Sequence, residues 1–250
     1  MIAIRRPDEI ERIRESGRIV AGALDLASTL IRPGIATDVL DGEIEAYTRD
    51  SGGTPEFKGF QGYPASICTS INEQVVHGIP GATILEDGDI VGVDVGVRKG
   101  GYVADGARTF PVGAVSADRT RLMEVTRRSL DAAVEAVRQG VRLSDVSHVI
   151  QEIVEEAGFS VVRELAGHGV GTALHEPPEI PNFGEPGFGP VLKAGMVLAI
   201  EPMVNAGVAA VATKPDGWTV VTADGMPSAH FEHTIAVTMN GADVLTTPSG

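Results

Sequence analysis

The chain contains one cysteine, Cys68, so it can form no disulfide within itself and no cysteine-rich metal site. No apolar run approaches the ~18–20 residues that a membrane span needs. The first residues, MIAIRRPDEIERIRESG, carry too many charges, acids included, for a secretory signal or a transit peptide. Bases are scarce: 20 Lys and Arg against 34 Asp and Glu leave a formal net charge of −14. Phosphate backbones are bound by clustered Lys and Arg, so DNA and other nucleic acids are set aside as the main ligand. A cation, or a substrate with a free amine, suits this balance better, although most of the surplus acids serve solubility. No Pro/Gly/Ser-rich linker or low-complexity tract divides the 250 residues. The 43 % hydrophobic and 22 % charged residues are those of an ordinary globular protein. The expectation is one cytoplasmic domain over residues 1–250, with no membrane contact.

What is present is a pattern that occurs twice. Pro7 in a first turn, with Ile10, Ile13, Val20 and Leu24 at helical spacing, predicts a long helix that stops at RPG. A shorter helix, TDVLDGEIEAYTRDSGG, places Leu40, Ile44 and Tyr47 on one face and ends in glycines. Strand-like segments fill about 60–112. The order then restarts, with a long helix in SADRTRLMEVTRRSLDAAVEAVRQG and a short one in LSDVSHVIQEIVEEAG. Residues 31–52 lie on 137–158 without a gap, bringing Arg32 onto Arg138, Gly34 onto Gly140, Ile44 onto Ile150 and Gly52 onto Gly158. With the offset larger by one, 85–96 lie on 192–203, Gly88 on Gly195 and Asp94 on Glu201. Two α+β halves, about 1–112 and 116–250, are expected to share one continuous sheet about an approximate two-fold axis. A site between them would collect side chains from each.

The segment VDVGVRKGGYVADGA shows what such a site would hold. Val91, Val93, Val95 and Val97 alternate with Ile90, Gly92, Asp94 and Gly96, so Asp94 faces a surface whose strand neighbours are mostly glycine. A turn at 99–100 would set Asp94 directly opposite Asp105, with Cβ atoms roughly 4.5–5.5 Å apart. A turn at 100–101 would make them a diagonal pair, still within reach of one ion. Two ionised carboxylates in an apolar sheet cost several kcal/mol or more per charge, unless one holds a proton or a cation lies between them. GMVLAIEPMV and HFEHTIAV place Glu201 and Glu232 in two further apolar strands, and RELAGHGVGTALHEPPEIPNFG adds His168 and His175. Asp94, Asp105, Glu201, Glu232 and one His form an oxygen-rich set suited to Mn, Fe, Co or Zn as divalent ions. Two ions bridged by Asp105 and Glu232, roughly 3.5–4 Å apart, would balance the carboxylate charge.

The ordered set DVG, YVADGA, GHGVG, HEPP, AIEPM and FEHTIAV closely resembles the type I methionine aminopeptidases, over nearly the whole chain. The resemblance implies the pita-bread fold: two pseudo-symmetric α+β halves sharing a curved, mainly antiparallel sheet. It implies removal of the initiator methionine from nascent proteins when the second residue is small. Asp94 would chelate one metal, Asp105 and Glu232 bridge both, and His168 and Glu201 complete the other. Glu201 would also be the general base that moves a proton from the attacking water to the leaving amine. His175 would contact the scissile carbonyl and His77, in INEQVVHGIPG, the scissile nitrogen. Phe57, Phe60, Tyr63, Cys68 and Trp218 would form an apolar slot for the thioether side chain. His230 and His233 match no family role and are read as structural.

Departures from relatives fall in the pocket and at the partner surface. Leu174 precedes His175 where an aromatic is common, and Phe57 and Phe60 replace frequent Cys and Tyr. A monovalent cation near Asn72, Gln74 and Ser228 is a further expectation from the resemblance. Some relatives approach the ribosome with a basic loop, but the corresponding NAGVAAVATKPDGWTVVTADG has Lys214 as its only base, so a weak, salt-insensitive contact is expected from a monomer. The competing readings are an Xaa-Pro dipeptidase, whose long N-terminal domain is missing, and a non-catalytic binding scaffold. Scaffold relatives typically lose ligands, whereas all five stand here.

Overall fold

Pro7 occupies the first turn of helix α1, Pro7–Leu30, where its missing N–H is not needed. The Glu9 carboxylate folds back to accept the Arg6 backbone N–H at 2.9 Å. Ile13, Val20 and Leu24 bury one face of α1 against the hairpin of strands Ile90–Lys99 and Tyr102–Pro111. Ser16 fastens helix to hairpin: its hydroxyl donates to Tyr102 O at 2.9 Å and accepts from Lys99 N at 3.1 Å. The computed structural model describes residues 1–247 of the protein. Every strand pairing among them is antiparallel.

Helices α2 (Thr37–Asp50), α3 (Ala117–Ala136) and α4 (Leu143–Glu156) stand where helical spacing predicted them. The repeat is visible in the backbone bonds. Gly34 N–H donates to Leu85 O and Leu85 N–H to Ile35 O; 106 or 107 residues on, Gly140 donates to Leu192 O and Leu192 to Val141 O. Gly52 and Gly158 end α2 and α4 with φ of 76° and 81°. Gly88 and Gly195 take φ of 96° and 92°. These equivalent left-handed positions are what fixed the matching glycines in the two halves.

The halves meet along a seam beside the hairpin. Hydrogen bonding divides the shared strand layer into ladders of four, three, three and five strands. At the seam, side chains complete what a continuous ladder would have done. The Thr234 hydroxyl accepts from Asp105 N at 3.0 Å and donates to Asp105 O at 2.8 Å. Thr109 does the same for His230, accepting from its N at 2.9 Å and donating to its O at 2.8 Å. Glu232 N–H donates to Ala107 O at 2.9 Å. The seam therefore holds Asp105, His230 and Glu232 at fixed positions.

Helix α2 also anchors the irregular segment that carries the first aromatic residues of the expected pocket. Asp41 Oδ1 accepts the backbone N–H groups of Ser66 and Ile67 at 2.8 and 3.0 Å. Glu45 accepts from Lys58 Nζ at 2.6 Å, Ser66 Oγ at 2.7 Å and Arg49 Nε at 2.8 Å. The Lys58 bond, followed by that from Ser66, holds Glu45 down to about 2 from an ordinary 4.5. Because its folded pKa lies below the unfolded one, this stabilisation is complete above about pH 4.5 and is lost as the pH falls toward 2. For so exposed a pair it amounts to ~1 kcal/mol or less. The urea-midpoint difference between the protein and Glu45→Gln should be greatest near pH 6 and shrink between pH 4.5 and 2. A difference that stays constant over that range would show that these bonds add nothing.

Candidate active site

The hairpin turn sets the geometry of the two aspartates. Lys99 pairs with Tyr102, and the turn is Gly100–Gly101, with φ of 57° and 86°. Two positive φ angles in a two-residue loop match the strand twist and favour glycine at both places. Of the two turns compatible with the sequence, this is the second: Gly96 faces Asp105 and Asp94 faces Ala107. The carboxylates are diagonal neighbours on one face. On the other side of Asp94, Cys68 is its direct cross-strand partner.

Asp105, His168 and Glu232 are 4 %, 8 % and 2 % exposed. Each offers a donor atom within 4.8 Å of the others. His168 Nδ1 lies 3.0 Å from Gly169 O, a bond that makes Nδ1 the donor and turns the Nε2 lone pair inward. That Nε2 is 3.5 Å from Glu201 Oε1 and 4.0 Å from Asp105 Oδ2. Asp94 and Glu201 are half-buried and line the same cavity as Asp105, His168 and Glu232. Gly167 lets the neighbouring strand approach closely, since a Cβ there would lie 2.4 Å from Ala199 O and 3.3 Å from Glu201 Cγ.

The electrostatics test whether a cation fits. Burial pushes Asp94 well above the ordinary carboxylate range, and Asp105 and Glu201 beside it add to this. Burial likewise raises Glu201 and Glu232, with further repulsion from Asp105. Asp94 Oδ1 and Glu232 Oε1 are buried with no hydrogen-bond donor. Buried anionic oxygens without a donor are costly unless positive charge reaches them. Four carboxylates and one correctly turned imidazole nitrogen are the donor set of a divalent metal, so the residues fit one.

The cavity is about 210 Å³ and continues from this cluster into an aromatic slot. A water takes ~30 Å³ of liquid, so the space admits a side chain of several heavy atoms. Phe57, Phe60, Tyr63, Cys68, Trp218, His77 and His175 all line it, so the structure brings the sequence-derived candidates together. Gly96 makes room for Phe57, whose ring carbon would be 2.5 Å from a Cβ there. Tyr63 donates its hydroxyl to backbone oxygens at Ile67 and Gly78, at 3.1 and 3.0 Å, and Trp218 meets it edge-on at 5.0 Å. Burial, then Asp94, raises the Cys68 thiol well above its usual value, which makes it a wall residue rather than a nucleophile. His175 stands edge-on to Phe60 at 5.4 Å and to His168 at 4.4 Å. Its loop is held by Glu176, which accepts from Thr172 and Ala173 and pairs with Arg5. Burial lowers the proton affinity of His77 and His175, which favours the neutral imidazole in both. His77 also has φ of 59°, a strained left-handed conformation for a residue with a Cβ.

Two neighbours of the site, Gln61 and His230, are not assigned to it from sequence, whereas Leu174 is among the pocket departures. Leu174 and Gln61 line the cavity; Gln61 sits at φ of 48°, which no sequence pattern announces. His230, read as structural, places Nε2 3.8 Å from Glu201 Oε2. His233 does have a structural bond, Nδ1 to Thr246 Oγ1 at 2.8 Å. Asn72 and Ser228 meet, with Ser228 N–H donating to Asn72 O at 2.8 Å. Asn72 Nδ2 is taken up by Asp89, and Gln74 Oε1 by Ile71 N–H.

Residues 11–239 match metallopeptidase family M24. Methionine aminopeptidase 1 of Bacillus subtilis is 52 % identical over 246 residues, covering 98 % of this chain and 99 % of that protein. The crystal structure of methionine aminopeptidase from Thermotoga maritima superposes with a TM-score of 0.98 at 47 % identity, covering 99 % of this chain and 100 % of that one. The prolidase from Pyrococcus furiosus is more distant, with a TM-score of 0.80 at 26 % identity, and the alignment spans 66 % of it. The expected pita-bread architecture is the one observed.

If the cluster holds a divalent ion, chelator-treated protein should melt higher on adding Mn²⁺ or Co²⁺. The gain should reach about 2.7 kcal/mol at a hundredfold excess over Kd. Asp105→Asn should lose that response while melting no lower than the metal-free parent, because it removes a repelling buried charge. Equal metal responses in both proteins would place the binding elsewhere.

Proposed function

The chain belongs to metallopeptidase family M24, and we propose from this premise that it removes the N-terminal methionine from nascent proteins whose second residue is small. The observation that carries the reading is the continuity of one cavity from the carboxylate–histidine cluster to the aromatic slot. The halves 1–112 and 116–250 act as one catalytic domain, because the donor set is drawn from both. Asp94, Asp105, His168, Glu201 and Glu232 would hold two divalent ions. Bound there, such ions acidify water toward neutrality and polarise the scissile carbonyl.

The chain's own residues do the rest. Phe57, Phe60, Tyr63, Cys68 and Trp218 bind the methionine side chain and exclude water from it. Glu201 takes a proton from the attacking water and returns it to the leaving amine. Burial favours the neutral forms of His175 and His77, each of which presents one N–H. His175 donates to the carbonyl oxygen as charge develops there, and His77 orients the scissile nitrogen. A monovalent cation beside Asn72, Gln74 and Ser228 would rely on backbone oxygens, since side-chain groups of Asn72 and Gln74 are already engaged.

An Xaa-Pro dipeptidase fits less well, because the methionine aminopeptidases match at higher identity over their full length. Among the described residues, no helix is long and apolar enough to cross a membrane. A cytoplasmic monomer meeting chains at the ribosome is the setting proposed. Contact through the loop beyond Asn205 should be weak, since Lys214 is the only base there and lies 4.0 Å from Glu73.

Metal-loaded protein should release free methionine from Met-Ala-Ser far faster than it cleaves Met-Pro. Glu201→Gln should lower kcat by about 10²-fold or more. Preferred cleavage of Met-Pro, or no release with any of Mn²⁺, Fe²⁺, Co²⁺ and Zn²⁺ in folded protein, would overturn the reading. Sedimentation with ribosomes should show little binding at low or high salt; tight, salt-sensitive binding abolished by Lys214→Ala would contradict the weak contact.

A further inference from the structure

His230 is held in place more firmly than its role so far requires. Its backbone is fixed on both sides by Thr109 and pairs with Met203 in the strand Ser228–His230. The ring is buried, 4 % exposed, and its Nε2 has no hydrogen-bond partner. Orphaned buried donors are rare in native proteins and call for an explanation. Among the described residues, Glu201 is the one carboxylate within ion-pair distance, with Oε2 3.8 Å from that nitrogen. The other oxygen, Oε1, faces His168 Nε2 at 3.5 Å. The Glu201 carboxylate is therefore suspended between two imidazoles, one among the ligands and one outside them.

The 3.8 Å separation is too long for a hydrogen bond, yet a shift of under ~1 Å brings the pair into range. Contacts of catalytic groups commonly tighten when the site is filled. A neutral imidazole can supply the donor, and the carboxylate oxygen is an acceptor. We propose that His230 is a positioning residue for Glu201: its Nε2–H donates to Oε2 and fixes the carboxylate plane, keeping Oε1 turned toward the ligand cluster. The inference rests on the reading of Glu201 as metal ligand and base. It adds a residue outside the ligand set whose loss allows that carboxylate to rotate away. Outer partners of ligating groups typically affect metal affinity or activity by 10–100-fold.

Three proteins test it: the parent, His230→Ala and His230→Gln, each shown to be folded by its thermal melt. Mn²⁺ affinity is measured by calorimetry, and kcat and KM by methionine release from Met-Ala-Ser. For His230→Ala the expected result is a kcat 10–100-fold lower with KM within about twofold, and Mn²⁺ bound about tenfold more weakly. His230→Gln keeps an N–H donor at the end of its side chain and should recover most of both quantities. Alanine and glutamine variants that both match the parent would overturn the proposal. So would equal impairment of the two, which marks a packing role alone. If the parent releases no methionine with any metal, the functional reading fails by itself, and the calorimetric comparison still decides the positioning role.

Discussion

The structure is organised around carboxylates that repel one another in an apolar setting. Asp94, Asp105, Glu201 and Glu232 all lie where burial raises their proton affinity. Such a cluster costs several kcal/mol per charge if left unbalanced, far more than any single surface ion pair returns. The residues fit divalent cations, which would provide the missing charge, so stability and chemistry would share one requirement. His168 serves the same end, with Nδ1 committed to a backbone oxygen and Nε2 left to the cluster.

The seam between the halves is what makes that cluster possible. Here the Thr109 and Thr234 hydroxyls satisfy backbone groups of His230 and Asp105. Each half then contributes donors: the hairpin gives the aspartates, and the second half gives His168, Glu201 and Glu232. The aromatic slot is attached to this rigid frame by α2, whose Asp41 and Glu45 hold the segment that bears Phe57, Phe60 and Tyr63. The opposite wall is steadied by Glu176 and the N-terminal Arg5.

His230 shows how the two layers of the site relate. The clustered acids are legible because they interrupt apolar strands, a break of pattern that needs a reason. A residue acting through a ligand interrupts nothing. His230 sits beside Phe231 and Glu232 in a stretch where any of several polar residues would read as ordinary. Gln61 is hidden for a different reason, because its position depends on a left-handed backbone angle at a residue that is not glycine.

By itself the sequence determined the class of fold and the family, and it marked the acids that the structure gathers into one cluster. Apolar periodicity fixes which face of a helix or strand is buried, and acids on a buried face imply a cation. It also fixed the equivalence of the halves, since Gly34 and Gly140, or Gly88 and Gly195, are needed at the same left-handed positions. Tertiary structure alone decided the division of the strand layer at its seam. It alone placed the slot against the cluster and set Glu201 between His168 and His230. A turn at 99–100 would need a positive φ at Lys99, whereas one at 100–101 puts glycine at both positions, so turn chemistry already leans toward the second. Packing against α1 and the seam bonds of Asp105 reinforce that register, and those contacts join residues more than eighty positions apart, which no local pattern records.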